Sequence, residues 1–584
     1  MSAGLEASEP ATRAGQAGSE VRSDSFILES RGWSSESTDC APKTVALASL
    51  VNLAAPDAVA RVSYHSRGNL LIVAGDSAQR ARRCAAQLAG TLPVTLLDHA
   101  GAPAAGLFAQ WAGAVDSLAG YLGEFTVTIS GLATAGKARA AQPTPARFDL
   151  VLDFSARPLF GMRQPPQGYF AAPADEAALD GVLAELRDAV GEFEKPKYFA
   201  YRESICAHSR SQVTGCNACI DICSTQAISP DGDHVKVDPH LCMGCGACST
   251  VCPSGAMSYQ YPRVADRGAQ MKQLLASFRH AGGRDACIVF HNGADGRALL
   301  ERAAASDHGL PGRALPLETL HVAAIGLDLL LPAIAFGASQ VAVVAAGSED
   351  APYLAALREQ MAIGQSILTA LGYGSGHFAL VEARDPASLY QAFSGLAPAT
   401  SVALPATFLL SNDKRGAIEF AVEHLAKHAP RKVEEIALPA GSPFGEVRVD
   451  RAKCTMCMAC VGSCPESALM DGVDQPLLKF LERNCVQCGL CENTCPEDAI
   501  SLSPRLLLTP AVREARVLNE TEPFQCVSCH KAFGTRLMVD AMLARLAGHS
   551  MFSGGAALRR LQMCADCRVV DMMSAKDEVS VLKL

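Results

Sequence analysis

Two long stretches of the chain alternate short apolar runs with amphipathic segments, and cysteine-rich segments separate and follow them. From 43 to 197, the runs 69–73, 94–97, 126–130 and 148–154 read as strands, while 78–88 and 175–193 carry apolar residues at helical spacing. The helix 175–193 leads into the first cysteine-rich segment. This alternation predicts an N-terminal α/β domain with some antiparallel pairing. From 263 to 443 the predicted order is helix 268–280, strands 286–291 and 322–325, helix 327–337, strand 340–345, helix 353–371, strand 378–381 and helix 413–427. Either Ser411 or Asn412 can cap the last helix. That order predicts a parallel α/β insert domain. Residues 1–42, rich in Ser, Glu, Ala and Gly with few aliphatics, read as a disordered leader ending at Cys40, an ordinary thiol.

The segments 198–262 and 444–505 follow no such period and are dominated by cysteine. Sixteen of the chain's 23 cysteines lie in them, as four sets of four. The sets are Cys206, Cys216, Cys219 and Cys223; Cys242, Cys245, Cys248 and Cys252; Cys454, Cys457, Cys460 and Cys464; and Cys485, Cys488, Cys491 and Cys495. The last three share the spacing CxxCxxCxxxC followed by proline, the run that wraps a 4Fe-4S cluster in two-cluster ferredoxins. In that run three cysteines close around one cluster and the fourth ligates its neighbour. The expected ligand sets are therefore crossed: Cys454, Cys457, Cys460 with Cys495; Cys485, Cys488, Cys491 with Cys464; Cys242, Cys245, Cys248 with Cys223. The remaining set is irregular. Its first position is Val213, and Cys206, displaced by a seven-residue insertion, is the upstream thiol near enough to replace it. Cys206, Cys216, Cys219 and Cys252 are assigned to that cluster.

The fourth cysteines open one phrase written four times: CSTQAI from Cys223, CPSGAM from Cys252, CPESAL from Cys464 and CPEDAI from Cys495. Proline bends the chain away from the cluster, and the apolar sixth residue begins a short strand. Segments 235–237 and 447–449 read as the strands that run into cluster loops. On these residues, 198–262 and 444–505 resemble the two-cluster (2x4Fe-4S) ferredoxin family, so two βαβ dicluster modules are expected. Zinc sites and disulfides account less well for the cysteines, because zinc pairs CxxC units over longer gaps and disulfides need an oxidising compartment.

Residues 506–584 form a smaller C-terminal region holding Cys526, Cys529, His530, Cys564 and Cys567. Two CxxC knuckles flanking a helical segment at 535–546 read as a zinc-ribbon-like structural site, with a fifth iron–sulfur cluster as the alternative. Covalent haem at the CxxCH motif is disfavoured, because nothing in the sequence directs export and the second CxxC would be unexplained. His530, His208 and His240 read as solvated loop residues. The turn 73–80 (VAGDSAQR) lacks GxGxxG and GxxxxGK(S/T) alike, so it reads as a strand-to-helix turn, with Cys84 beyond it in the core.

A chain of 584 residues, 49% of them hydrophobic, supports about three to five domains. The net charge of −9 speaks against nucleic acid and suits docking on redox proteins. The most apolar window, 321–347, is interrupted by Asp328, Pro332, Ser339 and Gln340, so no transmembrane segment is expected. The N-terminus lacks a basic and apolar signal, which points to the cytoplasm. The expected fold class is thus multidomain α/β and α+β. The insert's strand and helix order resembles small domains of hydrogenase and heterodisulfide-reductase electron-transfer subunits that carry a 2Fe-2S centre, but Cys287 alone cannot hold one. The whole layout resembles iron–sulfur proteins associated with molybdenum-dependent formate dehydrogenases. That resemblance implies a soluble electron carrier with redox protein partners, formate dehydrogenase among them. The alternative is an accessory factor serving cluster assembly or sensing. No flavin, Walker or triad signature marks an independent enzyme.

Overall fold

The computed structural model describes residues 40–101, 106–306, 310–472, 475–552 and 555–574. The leader assigned to 1–42 therefore falls almost wholly outside the described residues. The last three of those positions open a helix, Cys40–Ser49.

The N-terminal domain is a seven-stranded sheet. In spatial order its strands are Thr144–Phe148, Phe125–Ala133, Ala109–Ala119, Val94–Asp98, Leu70–Val73, Leu150–Asp153 and Tyr169–Ala171. The last five run parallel and the first two add antiparallel pairs, as the alternation predicted. Leu70–Val73 and Leu150–Asp153 are buried along their whole length, which is why they stand out as apolar runs. Ala109–Ala119 is only half buried and carries no such run, so the pattern missed it. The expected helix 175–193 stops at Asp188. Gly191–Pro196 is instead a strand paired with Arg61–Ser66, its glutamates 192 and 194 pointing outward on a period of two.

The insert has a four-stranded, wholly parallel sheet in the order Ala314–Thr319, Cys287–Asn292, Gln340–Ala345, Phe378–Glu382. The strand expected at 322–325 is a single 3-10 turn, Val322–Ala324. The true strand, Ala314–Thr319, lies at the sheet edge and contains Pro316, a residue that argues against a strand unless it is an edge one. The helix Lys414–Lys427 is capped by Asp413, which accepts from the Gly416 amide at 2.8 Å, and not by Ser411 or Asn412.

Packing crosses three of the expected domain boundaries. The Cys40–Ser49 helix lies against Val264–His280 and buries Ala46 in the insert core, so it belongs with the insert rather than with 43–197. Ile500–Leu507 pairs on one side with Gly445–Val449 and on the other with Glu435–Ala437, from upstream of 444. Arg516–Glu520 pairs with Leu477–Phe480 of the second cysteine-rich module. The separate C-terminal unit therefore begins near Pro523. Among the described residues no helix is long and apolar enough to cross a membrane.

Candidate metal centres

Each regular cysteine loop turns through two residues of positive φ. They are Gly244 (78°) and Gly246 (77°), Met456 (55°) and Met458 (61°), and Gln487 (54°) and Gly489 (83°). This conformation wraps the backbone around one side of a space and aims three thiols into it. A five-residue helix then leads to the fourth cysteine: Ala218–Ile222, Ala247–Val251, Ala459–Ser463 and Leu490–Thr494. The fourfold sequence phrase is also a fourfold backbone. Its fourth residue is left-handed every time, at Gln226, Gly255, Ser467 and Asp498. Beyond that turn a main-chain amide reaches back to the thiol in three repeats: Ala468 to Cys464 Sγ at 3.2 Å, Ala499 to Cys495 Sγ at 3.4 Å and Met257 to Cys252 Sγ at 3.4 Å.

The thiols meet in crossed groups. Cys454, Cys457, Cys460 and Cys495 line one cavity. Cys464, Cys485, Cys488 and Cys491 line a second, and Cys223, Cys242, Cys245 and Cys248 a third. In the irregular group Cys219 is pushed up by burial and by the charges of Cys252, Cys216 and Cys206. The same two causes raise Cys460 to about 12, and Cys248 and Cys491 also rise. Four thiols facing one buried space repel one another as thiolates, and a cationic iron–sulfur core removes that penalty. The donor sets thus fit the clusters the spacing implies.

The insertion before Cys216 is a hairpin, Ser209–Arg210 against Val213–Thr214, joined by Ser211 (φ 51°) and Gln212 (φ 69°). Two consecutive residues of positive φ make the tight hairpin turn that suits twisted strands. The hairpin carries the chain away between Cys206 and Cys216 and returns it, so the displaced cysteine still reaches the group. Cys206 itself is buried, and burial together with its charge pushes the neighbouring Tyr201 hydroxyl up. The returning strand packs on the other module: Asn493 Nδ2 donates to the Thr214 carbonyl at 3.2 Å, and Gly215 lies against Leu490. Cys488 is raised to about 12 by burial and by the charges of Cys464, Cys485 and Cys216, the last from the other module.

The surrounding domains supply groups that spacing could not reveal. Tyr353, from the insert helix Ala351–Ala370, hydrogen-bonds Ser224 and lowers the neighbouring Cys245 thiol against the rise that burial gives it. Lys195 Nζ donates to the carbonyls of His240 and Cys242, each at 2.8 Å, and burial lowers it to about 8. Lys414 Nζ donates to the carbonyls of Ser249, Thr250 and Cys252 at 2.7, 2.7 and 2.9 Å. The adjacent Arg415 donates to the carbonyls of Pro443, Arg483 and Cys485. Two histidines depart from the solvated reading. His208 is buried, its Nδ1 3.2 Å from the Cys216 carbonyl oxygen, and His240 stacks on Tyr121 at 4.2 Å. His530 is exposed. Cys84 and Cys287 are core residues away from these groups.

In the C-terminal unit Cys526 and Cys529 sit in the hairpin of Pro523–Gln525 and Ala532–Thr535, as a knuckle should. Cys564 and Cys567 come instead from the start of a helix, Ala565–Ser574, which departs from a ribbon built of two hairpins. All four sulfurs lie within 4.8 Å of one another, with Cys529 and Cys564 3.7 Å apart. Thiolates about 2.3 Å from a single ion stand about 3.8 Å apart. Thiolates at the corners of a cubane are separated by an iron each and spread to about 6 Å. The group has the dimensions of a one-ion site. Burial raises Cys526, but amides of Cys529, Cys564 and Ser528 outweigh it and hold the thiol near 6, where it is a ready metal ligand.

Residues 214–256 and 453–500 each match a family model described as a 4Fe-4S dicluster domain. The chain is an iron–sulfur protein with two ferredoxin-type domains. The first match begins beyond Cys206, so the displaced cysteine falls outside the shared pattern, whereas the second spans all eight cysteines of its module. The comparison with curated proteins gives no match. Two such domains make the protein one of iron–sulfur electron transfer.

Proposed function

We propose that the chain relays single electrons along four 4Fe-4S clusters standing in one series. Cys223, Cys242, Cys245 and Cys248 hold the first; Cys206, Cys216, Cys219 and Cys252 the second. Cys464, Cys485, Cys488 and Cys491 hold the third; Cys454, Cys457, Cys460 and Cys495 the fourth. The observation that carries this reading is the contact of the two modules beside their cysteine loops, where Asn493 donates to the Thr214 carbonyl at 3.2 Å and Gly215, next to Cys216, lies against Leu490, between Cys488 and Cys491. Within the modules Cys248 and Cys219 pack on one buried cluster, and Cys491 and Cys460 share another. Bound in these sets, the clusters supply one-electron exchange between ferric and ferrous iron. The protein's own part is to exclude water, fix the thiols and surround them with amides and cations.

Cys526, Cys529, Cys564 and Cys567 hold one structural zinc, on the strength of their sulfur spacing. The cytoplasm, where thiols stay reduced, is the assigned location. The partners are redox proteins, and the resemblance in overall layout nominates a molybdenum-dependent formate dehydrogenase as the electron source.

Anaerobic purification should yield about sixteen irons per chain, as four cubanes require, and one zinc. A low-potential dye should reduce the clusters reversibly, and formate with its dehydrogenase should do the same. Fewer than about eight irons, or clusters that pass readily to an apo-acceptor, would overturn the relay in favour of an assembly factor.

A further inference from the structure

Three cations, Lys195 and Lys414 buried and Arg415 half-buried, reach the cluster loops from outside the two modules, and each rests on the carbonyl of a ligand cysteine. Lys195 belongs to the strand Gly191–Pro196, which pairs with Arg61–Ser66, and rests on Cys242. Lys414 and Arg415 are consecutive residues at the start of the insert helix Lys414–Lys427, and they diverge. Lys414 turns to Cys252 in the first module, and Arg415 to Cys485 in the second. The first three clusters of the proposed series thus receive one cation each. The carbonyls of Cys454, Cys457, Cys460 and Cys495 carry no Lys or Arg among the described residues. Glu497 lines that fourth cavity instead, paired outward with Arg545.

The geometry requires Lys414 to be charged. Its Nζ meets three carbonyl oxygens, and only an ammonium has three hydrogens to donate. The acids facing these cations are Asp238 for Lys195, Asp328 for Lys414, and Glu466, Glu419 and Asp413 for Arg415. A fixed positive charge in a dry site favours the reduced, more negative cluster and raises its potential.

Resting on the four-cluster reading, we propose that Lys195, Lys414 and Arg415 are potential-setting residues that grade the series, leaving the cluster of Cys454, Cys457, Cys460 and Cys495 as its low-potential end, where electrons enter. They act through the ligand cysteines and are positioning residues. The consecutive pair Lys414–Arg415 also makes the insert part of the relay, because one helix start addresses both modules.

The test is an EPR-monitored redox titration of the full chain. Each signal is assigned by the Cys→Ser variant that alters it: Cys245→Ser, Cys219→Ser, Cys488→Ser and Cys457→Ser. The lowest potential should belong to the signal altered by Cys457→Ser. Lys195→Gln, Lys414→Gln and Arg415→Gln, which keep a hydrogen-bond donor but lose the charge, should each lower one potential and leave the others in place. Lys195→Arg, Lys414→Arg and Arg415→Lys should restore it. The proposal is overturned if the lowest signal answers to any of the other three serine variants. It is also overturned if the neutral variants keep their iron and move no potential, or move all four alike. Should a neutral variant lose iron, the assignment in the unsubstituted chain decides alone. A chain with about sixteen irons and four equal potentials would sink this inference and leave the relay standing, whereas missing iron would sink the relay itself.

Discussion

Cys206 was legible as a candidate ligand only by elimination, because Val213 occupies the regular place. The structure supplies the reason it can serve: the Ser209–Thr214 hairpin returns the chain so that Cys206, Cys216, Cys219 and Cys252 share one buried neighbourhood. Cys206→Ala should cost one cluster, read as about four irons per chain and one missing EPR signal. An unchanged iron count would show that another group closes the site. Tyr353 was not legible, since nothing local marks a tyrosine that meets Ser224 from 129 residues away. Lys414, 162 residues from Cys252, was hidden for the same reason. Tyr353→Phe removes the hydroxyl that bonds Ser224 beside the Cys245 thiol. The expected cost is about 0.5–1.5 kcal/mol in chemical denaturation, with a lowered potential for the Cys245 cluster alone. Equal potentials in the two proteins would confine Tyr353 to packing.

At the scale of elements, what the pattern revealed depended on burial. Strands buried on both faces, such as Leu70–Val73 and Gln340–Ala345, wrote continuous apolar runs and were found. Edge or half-exposed strands were not: Pro316 disguised Ala314–Thr319, and Ala109–Ala119 keeps neither a run nor a clean alternation. The insertion hairpin was legible as extra length but not as a bridge, because its partner helix Leu490–Thr494 lies in the other module. Gly215 is the tightest point of that bridge, since a Cβ there would stand 2.6 Å from both the Ala207 carbonyl oxygen and Leu490 Cγ. Gly215→Val should force the modules apart at a cost of about 1–3 kcal/mol while sparing every thiol. Magnetic coupling between the second and third clusters should weaken, with iron content retained. Coupling equal to that of the parent would mean the modules touch elsewhere, and the series would need another junction.

At the scale of the whole molecule, the order of domains along the chain misleads about their arrangement. An insert of nearly two hundred residues between two cysteine-rich modules suggests separation, yet its helix Lys414–Lys427 ties them together and Glu435–Ala437 completes the second module's sheet. The C-terminal unit is attached differently. Its buried apolar cluster is small, made of Cys526, Met563 and Cys564 with Val527, Phe533 and Cys567 beside them. With so little core, the unit would depend on the zinc proposed for its four thiols to fold. It touches the fourth cluster loop through Thr535, whose hydroxyl donates to the Met456 carbonyl at 3.1 Å, and through the Arg545–Glu497 pair. Chelation of the zinc should therefore unfold 523–574 and leave the rest of the chain intact. Hydrogen exchange should show amides of that unit losing protection while Gly445–Val449 and Ile500–Leu507 keep theirs, with iron unchanged at about sixteen per chain. The loop 454–458, released from Thr535, should gain solvent access, and its cluster should then exchange electrons faster with a small soluble dye. Protection lost throughout the chain would instead make the zinc a keystone of the whole fold, and no loss anywhere would mean that the four thiols hold their unit together without an ion.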